Sequence, residues 1–181
     1  GRNRRPLILE APRGRGKSTV LGHGIATIVE LKRTHVVVIL PHAHSALPLT
    51  RRLESDLNVR VTIGELQYLV NGSSVHVMTM AQALDTQWSA DMLFVDEAAT
   101  FPVHILMRFL EICDRAVFAT TTAGYEGTGQ GFRLRFDAEL RLRFRDRRIE
   151  EMVTPVRWCA LDPVEAWLNS SFFLDDRTPV D

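Results

Sequence analysis

Short runs of apolar residues, many of them β-branched, are separated along this chain by polar and glycine-containing stretches. Runs of this length predict β-strands, and a run without polar alternation predicts a strand that is covered on both faces. The predicted strands are Pro6–Glu10, His35–Leu40, Val59–Ile63, Val75–Met78, Met92–Val95 and Arg115–Thr121.

Between these strands, apolar residues recur at helical spacing in three stretches, Lys17–Lys32, Ala43–Leu57 and Val103–Cys113. Pro48 has to lie in the first turn of the second helix or before it, because proline breaks a helix interior. Strands that alternate with helices predict an α/β fold with a mostly parallel central sheet flanked by helices. A chain of 181 residues is long enough to form one such domain.

The stretch from Phe132 to Phe144 is ambiguous. Its apolar residues alternate strictly with polar ones, which favours a strand or one arm of a hairpin. It contains no strong helix breaker, so a helix stays open as the alternative. The period alone favours the strand.

Composition and charge narrow the class of protein. Hydrophobic residues make up 45% of the chain and charged residues 24%, which is typical of a globular domain, and the formal net charge is +0. Cys113 and Cys159 provide no disulfide framework, and no apolar run approaches the roughly 18 residues that a membrane span needs. We therefore expect a cytoplasmic protein without a membrane partner.

A glycine-rich loop follows the first predicted strand and precedes the first predicted helix. The segment 10–19 reads EAPRGRGKST and fits the phosphate-binding pattern G-x-x-x-x-G-K-[ST], except that Ala11 replaces the first glycine. Gly14 and Gly16 allow successive N–H groups to point into one concavity, and the helix adds its positive end. In such a loop Lys17 reaches the β- and γ-phosphates of ATP.

A metal ion would complete this loop. The Ser18 hydroxyl is in the position of a Mg²⁺ ligand, and Asp96-Glu97 closes the predicted strand Met92–Val95 as an acid pair. Asp96 would hold Mg²⁺, while Glu97 would orient or deprotonate the attacking water. Both motifs fall at the carboxyl ends of parallel strands, where α/β folds bind ligands.

Other motifs are less specific. Thr120–Thr122 ends the next strand, where hydroxyls can sense the γ-phosphate, although threonine is also a common strand residue. Gly124–Phe132 is glycine-dense, which indicates either a close backbone approach or an ordinary turn. Seven arginines between Arg133 and Arg148 form either a solvated face or an RNA track. His42 and His44 have no second ligand pair nearby, which disfavours a metal site.

Four segments together resemble one family. APRGRGKST, DEAATFP, TTTAGYEGTGQGF and PVRW…DPVEAWL occur in the order seen in the tRNA(Met) cytidine acetyltransferases. The resemblance covers Pro6 to about Asp175 and is confined to the family's RecA-like helicase module. It implies a RecA-like P-loop ATPase domain over residues 1–175, followed by a linker or tail, 176–181, towards a missing C-terminal domain.

The resemblance also implies a function and further site residues. ATP hydrolysis would be coupled to handling of RNA, a tRNA, beside an acetyltransferase domain of the same parent chain. The residues that contact ATP would be Arg13, Gly14, Arg15, Gly16, Lys17, Ser18, Thr19, Gln130 and Arg157. Ala11 matches the family's alanine-containing loop, whereas Gln130 stands where family members carry an arginine. Either Arg133, Arg135 or Arg157 replaces that cation, or hydrolysis is slow.

Two functions remain open from the sequence. One is an ATPase motor or switch that acts on RNA, and the other is a nucleotide-binding structural module with weak or no hydrolysis. The acid pair points to water as the nucleophile, which disfavours a small-molecule kinase. The chain has no acetyl-CoA loop of the Q/R-x-x-G-x-G/A type, so we expect acetyl transfer to lie elsewhere in a longer protein, unless the chain is a stand-alone relative.

Overall fold

The structure of the protein, a computed structural model, describes residues 6–12, 14–69, 71–121, 128–144 and 147–152. For residues 128–133 it describes the backbone alone. The strands are β1 (Leu7–Ala11), β2 (His35–Leu40), β3 (Leu66–Tyr68), β4 (Ser74–Thr79), β5 (Met92–Val95), β6 (Ala116–Thr121) and β7 (Arg148–Glu151). The α-helices are α1 (Lys17–Leu31), α2 (Leu47–Leu57), α3 (Met80–Asp85), α4 (Val103–Ile112) and α5 (Thr128–Arg143).

The seven strands form one sheet in the order β3-β4-β2-β5-β6-β1-β7. Every neighbouring pair is parallel except β3 and β4, which pair antiparallel at one edge. This architecture confirms the predicted α/β fold with a mostly parallel sheet. In the part of the chain that the structure describes, no helix is both long and apolar enough to cross a membrane.

Helices cover the sheet on both faces, which is why its central strands are continuously apolar. Helices α1 and α2 pack on one face against a core that includes Val36, Val38 and Phe94. Helices α3, α4 and α5 pack on the other face, against residues such as Val37 and Phe118. Residues 36–40 of β2 are fully buried, as the run HVVVIL predicts.

Helix α1 is held close to α2 by a glycine. A Cβ atom at Gly22 would lie 2.8 Å from the backbone oxygen of Leu49 and 2.9 Å from Cβ of Arg52, closer than side chains can approach. Pro48 lies in the first turn of α2, as its ring requires. The close packing fixes the position of α1, and therefore of the loop that precedes it.

The strand predicted for residues 132–144 is wrong, because these residues belong to α5 and the turn after it. The helix buries Phe136 and Leu140, four residues apart, and leaves Leu134 72% exposed and Leu142 82% exposed. The alternation is therefore accidental, since two of the apolar residues that create it face solvent. Arginine, leucine, alanine and glutamate favour a helix, and the stretch has no β-branched residue.

The strand predicted at Val59–Ile63 is also wrong. Val61 and Ile63 pack against the core from an irregular segment, and the Val61 N–H donates to the Glu54 carboxylate at 2.9 Å instead of to a strand. The edge partner of β4 is β3, which the pattern did not indicate. Helix α3 was missed because six residues are too few to show a helical period, and strand β7 because its sequence, RIEE, is mostly polar.

Candidate nucleotide site

Three segments meet at the carboxyl edge of the sheet: the loop after β1, the turn after β5 and the end of β6. Strand β6 lies between β1 and β5, so the loop and the acid turn are two strand positions apart, roughly 10 Å. That spacing leaves room for a phosphate chain and a metal ion between them.

The loop has the backbone that its glycines predict. Gly14 and Gly16 have φ of 83° and 77°, a left-handed conformation that other residues seldom adopt. Gly16 caps α1 without a side-chain hydrogen bond, and the first turn contains no acidic residue. The N–H groups at the start of α1 are therefore available to an anion. Ala11 belongs to β1 and is fully buried, so its methyl group fits the strand.

Lys17 is buried at the first position of α1 and folds back over the loop. Its Nζ donates to the backbone oxygen of Ala11 at 3.1 Å and to that of Pro12 at 3.2 Å. These carbonyl groups hold the ammonium group beside the concavity of the loop. A phosphate is a stronger partner for a lysine than a neutral carbonyl, so these contacts can be exchanged for a nucleotide.

Asp96 is the most deeply buried acid at this edge, with 1% of its surface exposed. Its backbone N–H donates to the backbone oxygen of Ile39 at 3.0 Å, which extends the pairing of β5 with β2 by one residue. Its Oδ1 accepts from the Glu97 N–H at 2.9 Å. Its second oxygen, Oδ2, is buried and makes no hydrogen bond with the residues that the structure describes. A buried carboxylate oxygen without a partner is costly, and a metal ion is one ligand that would satisfy it.

Burial raises the pKa of Asp96 above its ordinary value. The Ser18 hydroxyl and the Glu97 N–H act in the opposite direction, and the Lys17 ammonium group also lowers this pKa. A proton and a cation compete for the same carboxylate, so metal binding at Asp96 should weaken as the pH falls towards this raised pKa.

Glu97 is half-buried and has a left-handed backbone, with φ of 49°. Its carbonyl oxygen accepts from the N–H of Thr100 at 2.9 Å and from the Thr100 hydroxyl at 2.7 Å, which fixes a tight turn. A non-glycine residue in this conformation is strained, and such strain is concentrated at functional sites.

The residues present fit a magnesium ion. Asp96 supplies an unsatisfied carboxylate oxygen, and Ser18, in the first turn of α1, is close enough to affect the pKa of that carboxyl. Oxygen ligands of this type are those that Mg²⁺ prefers, with water and phosphate oxygens completing its shell. Asp96 and Ser18 would hold the ion.

Thr120 and Glu10 lie between the loop and the acid turn. They are register partners on β6 and β1, and both are buried. Among the described residues, the Thr120 hydroxyl has no hydrogen-bond partner, so it is available to a ligand. Sequence reasoning singled out Thr120 but missed Glu10, whose signal was an acid inside the apolar run before the loop.

The remaining predicted site residues are distributed as follows. Arg15 is half-buried in the loop, and Thr19 is exposed on α1. Gln130 lies in the first turn of α5, whose backbone alone is described there, and Arg13, Thr122 and Arg157 lie outside the described residues. Arg135, one of the suggested substitutes for the family arginine, is exposed and lines a groove between α4 and α5.

The arginine-rich stretch is largely ion-paired where it is described. Arg141 and Arg147 contact Asp137, Arg143 contacts Glu111 at 3.1 Å, and Arg148 contacts Glu150. This pairing favours the solvated face over an RNA track.

Comparison with known proteins decides the family. The family model described as "RNA cytidine acetyltransferase NAT10/TcmA, helicase domain" matches residues 8–175. The chain belongs to this family. The helicase domain is 38% identical over 180 residues to the tRNA(Met) cytidine acetyltransferase TmcA of Vibrio cholerae, with 99% of this chain and 25% of that protein covered. With the TmcA of Nitrosococcus halophilus it shares 35% identity over 175 residues, 97% of this chain and 23% of that protein.

The chain thus spans about a quarter of the length of these relatives. Solved structures agree on the fold of the helicase domain. The large terminase ATPase domain of Thermus phage P74-26 superposes with a TM-score of 0.61 at 12% identity, covering 98% of this chain and 85% of that one. Arterivirus nonstructural protein 10, a helicase solved with DNA, superposes with a TM-score of 0.55 at 17% identity, covering 96% of this chain and 42% of that one. The predicted RecA-like P-loop fold is confirmed.

Proposed function

We propose that this domain binds ATP with Mg²⁺ at the Lys17 loop and hydrolyses it to drive the handling of RNA. The observation that carries the proposal is the buried, unpartnered Oδ2 of Asp96. It lies at the sheet edge that also carries the glycine loop, the uncapped start of α1 and Lys17. The ATPase and helicase neighbours support the same reading of the fold.

Each residue has a distinct role in this proposal. Residues 13–19 would contact the phosphates, with Lys17 opposite the β- and γ-phosphates and Ser18 and Asp96 on the metal ion. Glu97, fixed by the turn that Thr100 closes, would orient or deprotonate the attacking water. Lys17 and Glu97 are then the catalytic residues, and Gln130 and Arg157 complete the nucleotide contacts.

The RNA and the acetyl transfer belong to the proposal at the level of the longer protein. The relatives are named for tRNA(Met) cytidine acetylation and are about four times as long as this chain. We propose that a neighbouring acetyltransferase domain modifies the tRNA in the cytoplasm, and that this domain, residues 1–175 with 176–181 as a linker, supplies ATP-dependent movement.

A second candidate function is a nucleotide-binding switch with weak or no hydrolysis. Gln130 favours it, because a glutamine cannot provide the cation that stabilises charge on the γ-phosphate. ATP binding is common to both functions, which differ in whether ATP is hydrolysed to drive the handling of RNA.

The experiment that tests the ATP site shared by both functions measures ATP·Mg²⁺ binding by calorimetry for the wild type and for Lys17→Ala. The variant loses the point charge on the phosphates and should show no detectable binding. Lys32→Ala is the matched control, because Lys32 is the chain's other lysine and lies exposed after α1. Unchanged affinity in Lys17→Ala would exclude the site.

A further inference from the structure

Helix α5 presents an apolar stripe to solvent. Leu134 is 72% exposed and Leu142 82% exposed, and Ala138, midway between them, is exposed as well. Residues four apart lie on one face of an α-helix, so the three form a continuous stripe. Phe136 and Leu140, which pack α5 into the core, are buried on the opposite side of the helix. The exposed stripe therefore contributes no packing to a single copy of the chain.

The stripe is symmetric about Ala138. Leu134 lies four residues before it and Leu142 four residues after it, about 6 Å along the helix in each direction. When a second α5 lies antiparallel, with its own Ala138 opposite this one, Leu134 of each copy meets Leu142 of the other. The small alanines at the centre let the two helices approach closely. A two-fold axis at Ala138 thus pairs every residue of the stripe with an apolar partner.

The charges that flank the stripe are complementary in the same arrangement. Arg135 and Glu139 flank it on the side of α4, and Asp137 and Arg141 flank it on the other side. An antiparallel two-fold pair of helices brings each flank against the same flank of the other copy. Arg135 then lies about 3 Å along the helix axis from Glu139 of the second copy. Arg141 lies equally close to Asp137 of the second copy. Opposite charges at such flanking positions determine the orientation in which helices pair.

One flank has charges that a single copy leaves unmatched. Within the described residues, neither Arg135 nor Glu139 forms an ion pair. Asp137, by contrast, already contacts Arg141 at 2.8 Å and also contacts Arg147. A second copy supplies an opposite charge to Arg135 and to Glu139 together, and the two-fold axis forms the pair twice.

We propose that two copies of this chain associate through antiparallel α5 helices, with the stripe Leu134–Ala138–Leu142 at the centre of the interface. In a two-fold contact one patch meets itself, so the patch has to be complementary to itself in both shape and charge. A single pair of helices buries less area than a standard interface, so we expect a weak dimer with a micromolar dissociation constant. The inference does not depend on the proposed function.

Sedimentation equilibrium of the 181-residue chain tests the proposal. Between about 5 and 500 µM, the wild type should change from the mass of one copy to that of two. Leu134→Gln/Leu142→Gln should raise the dissociation constant at least about tenfold, because it removes apolar surface from both ends of the interface. Leu31→Gln, at an 81% exposed leucine on α1, is the matched control and should dimerise like the wild type. A monomeric wild type, or unchanged dimerisation of the double variant, overturns the proposal.

Charge reversal tests how the flanks meet. Arg135→Glu places an acid beside Glu139 of the second copy and should raise the dissociation constant about three- to tenfold. Arg135→Glu/Glu139→Arg restores opposite charges across the interface and should recover the wild-type dissociation constant. If the double reversal dimerises no better than the single one, the flanks do not meet as proposed.

Cross-linking tests the antiparallel register. Ala138→Cys should form a disulfide-linked dimer on oxidation, because the two cysteines face each other on the two-fold axis. Leu134→Cys should not, since its two copies lie about 12 Å apart along the helices, which is too far for a disulfide. The wild type controls for its own thiols, Cys113 and Cys159. A cross-link in Leu134→Cys but not in Ala138→Cys would overturn the proposed arrangement.

Discussion

The two edges of the sheet differ in how their polar groups are hydrogen-bonded. At the amino edge, where β2, β4 and β5 begin, hydrogen bonds link the ends of strands and helices. The Ser73 hydroxyl accepts from the Thr34 N–H at 3.2 Å and donates to the Val29 oxygen at 2.9 Å. His35 and Asp91 exchange two bonds, from the His35 N–H to the Asp91 carboxylate at 2.9 Å and from the Asp91 N–H to the His35 oxygen at 2.8 Å.

The carboxyl edge keeps several groups unsatisfied or strained. Asp96 and Thr120 each have a buried oxygen without a hydrogen bond, and Glu97 has a left-handed backbone. Helix α1 begins there without a side-chain cap. Burying polar atoms unpaired costs free energy, which supports the proposal that the carboxyl edge binds a ligand, whereas the hydrogen bonds of the amino edge contribute to stability.

The largest expected effect is at Glu97. Glu97→Gln keeps a hydrogen-bonding side chain but removes the base, so ATP turnover should fall by about 10²–10⁴ while ATP affinity stays the same. Steady-state hydrolysis and calorimetry measure the two quantities. Glu111→Gln, the same change on exposed α4, should leave both unaltered. Equal loss of binding and turnover in Glu97→Gln would mean that Glu97 is structural.

Substituting one aspartate at each edge, Asp96 or Asp91, tests the contrast between the carboxyl and amino edges directly. At 100 times its dissociation constant, ATP·Mg²⁺ should stabilise the wild type by about 2.7 kcal/mol, which raises the Tm of a domain of this size by roughly 5–10 °C. Asp96→Asn should lose most of this shift, because the amide is a poor metal ligand. Asp91→Ala, which removes the acceptor of the His35 N–H, should keep the shift and instead lower the Tm of the free protein. The reverse pattern would contradict the assignment of the edges.

In the proposed function, Gln130 limits the rate of ATP hydrolysis at the carboxyl edge. An arginine at the γ-phosphate is worth about 10³–10⁵ in turnover in P-loop enzymes that use one. We expect slow hydrolysis by the wild type and a rise of at least about tenfold in Gln130→Arg, with little change in affinity. Single-turnover hydrolysis measures the rate for the wild type and for Gln130→Arg. Gln87→Arg, in an exposed loop, is the control. A fast wild type, or no gain in the variant, would show that Arg133 or Arg157 already supplies the charge.

The smallest expected effects are on the free energy of unfolding, which should respond differently to the loss of a hydroxyl at each edge. Ser73→Ala leaves the Thr34 N–H without its partner and removes one of two hydrogen bonds that the Val29 carbonyl accepts, the other coming from Asn71. It should lower the free energy of unfolding by about 1–3 kcal/mol. Thr120→Val removes a hydroxyl that has no partner, in a side chain of the same shape, and should be neutral or stabilising. Chemical denaturation measures both variants. If Thr120→Val lowered the free energy of unfolding as much as Ser73→Ala does, the contrast between the two edges would be wrong.

Much of the fold could be predicted because its signals are local. The boundaries of β2 and β5 were predicted without error, and those of α1 and α4 to within one residue at each end. The apolar pattern alone misassigned Phe132–Phe144 and Val59–Ile63 as strands, because it does not show which of their apolar side chains pack into the core. Leu134 and Leu142 stay exposed on α5, and a periodic pattern alone does not reveal that.

The sequence by itself determined which candidate site residues lie at the carboxyl edge. A glycine loop before a helix and an acid pair after a buried strand are local patterns, because backbone conformation and residue type are set within a few positions. The tertiary structure decided which of these groups are left without partners. Sheet order places β6 between β1 and β5, and burial removes water from Asp96 Oδ2 and the Thr120 hydroxyl. Desolvation depends on every element packed around an atom, so it cannot be read from the residues next to it in the chain.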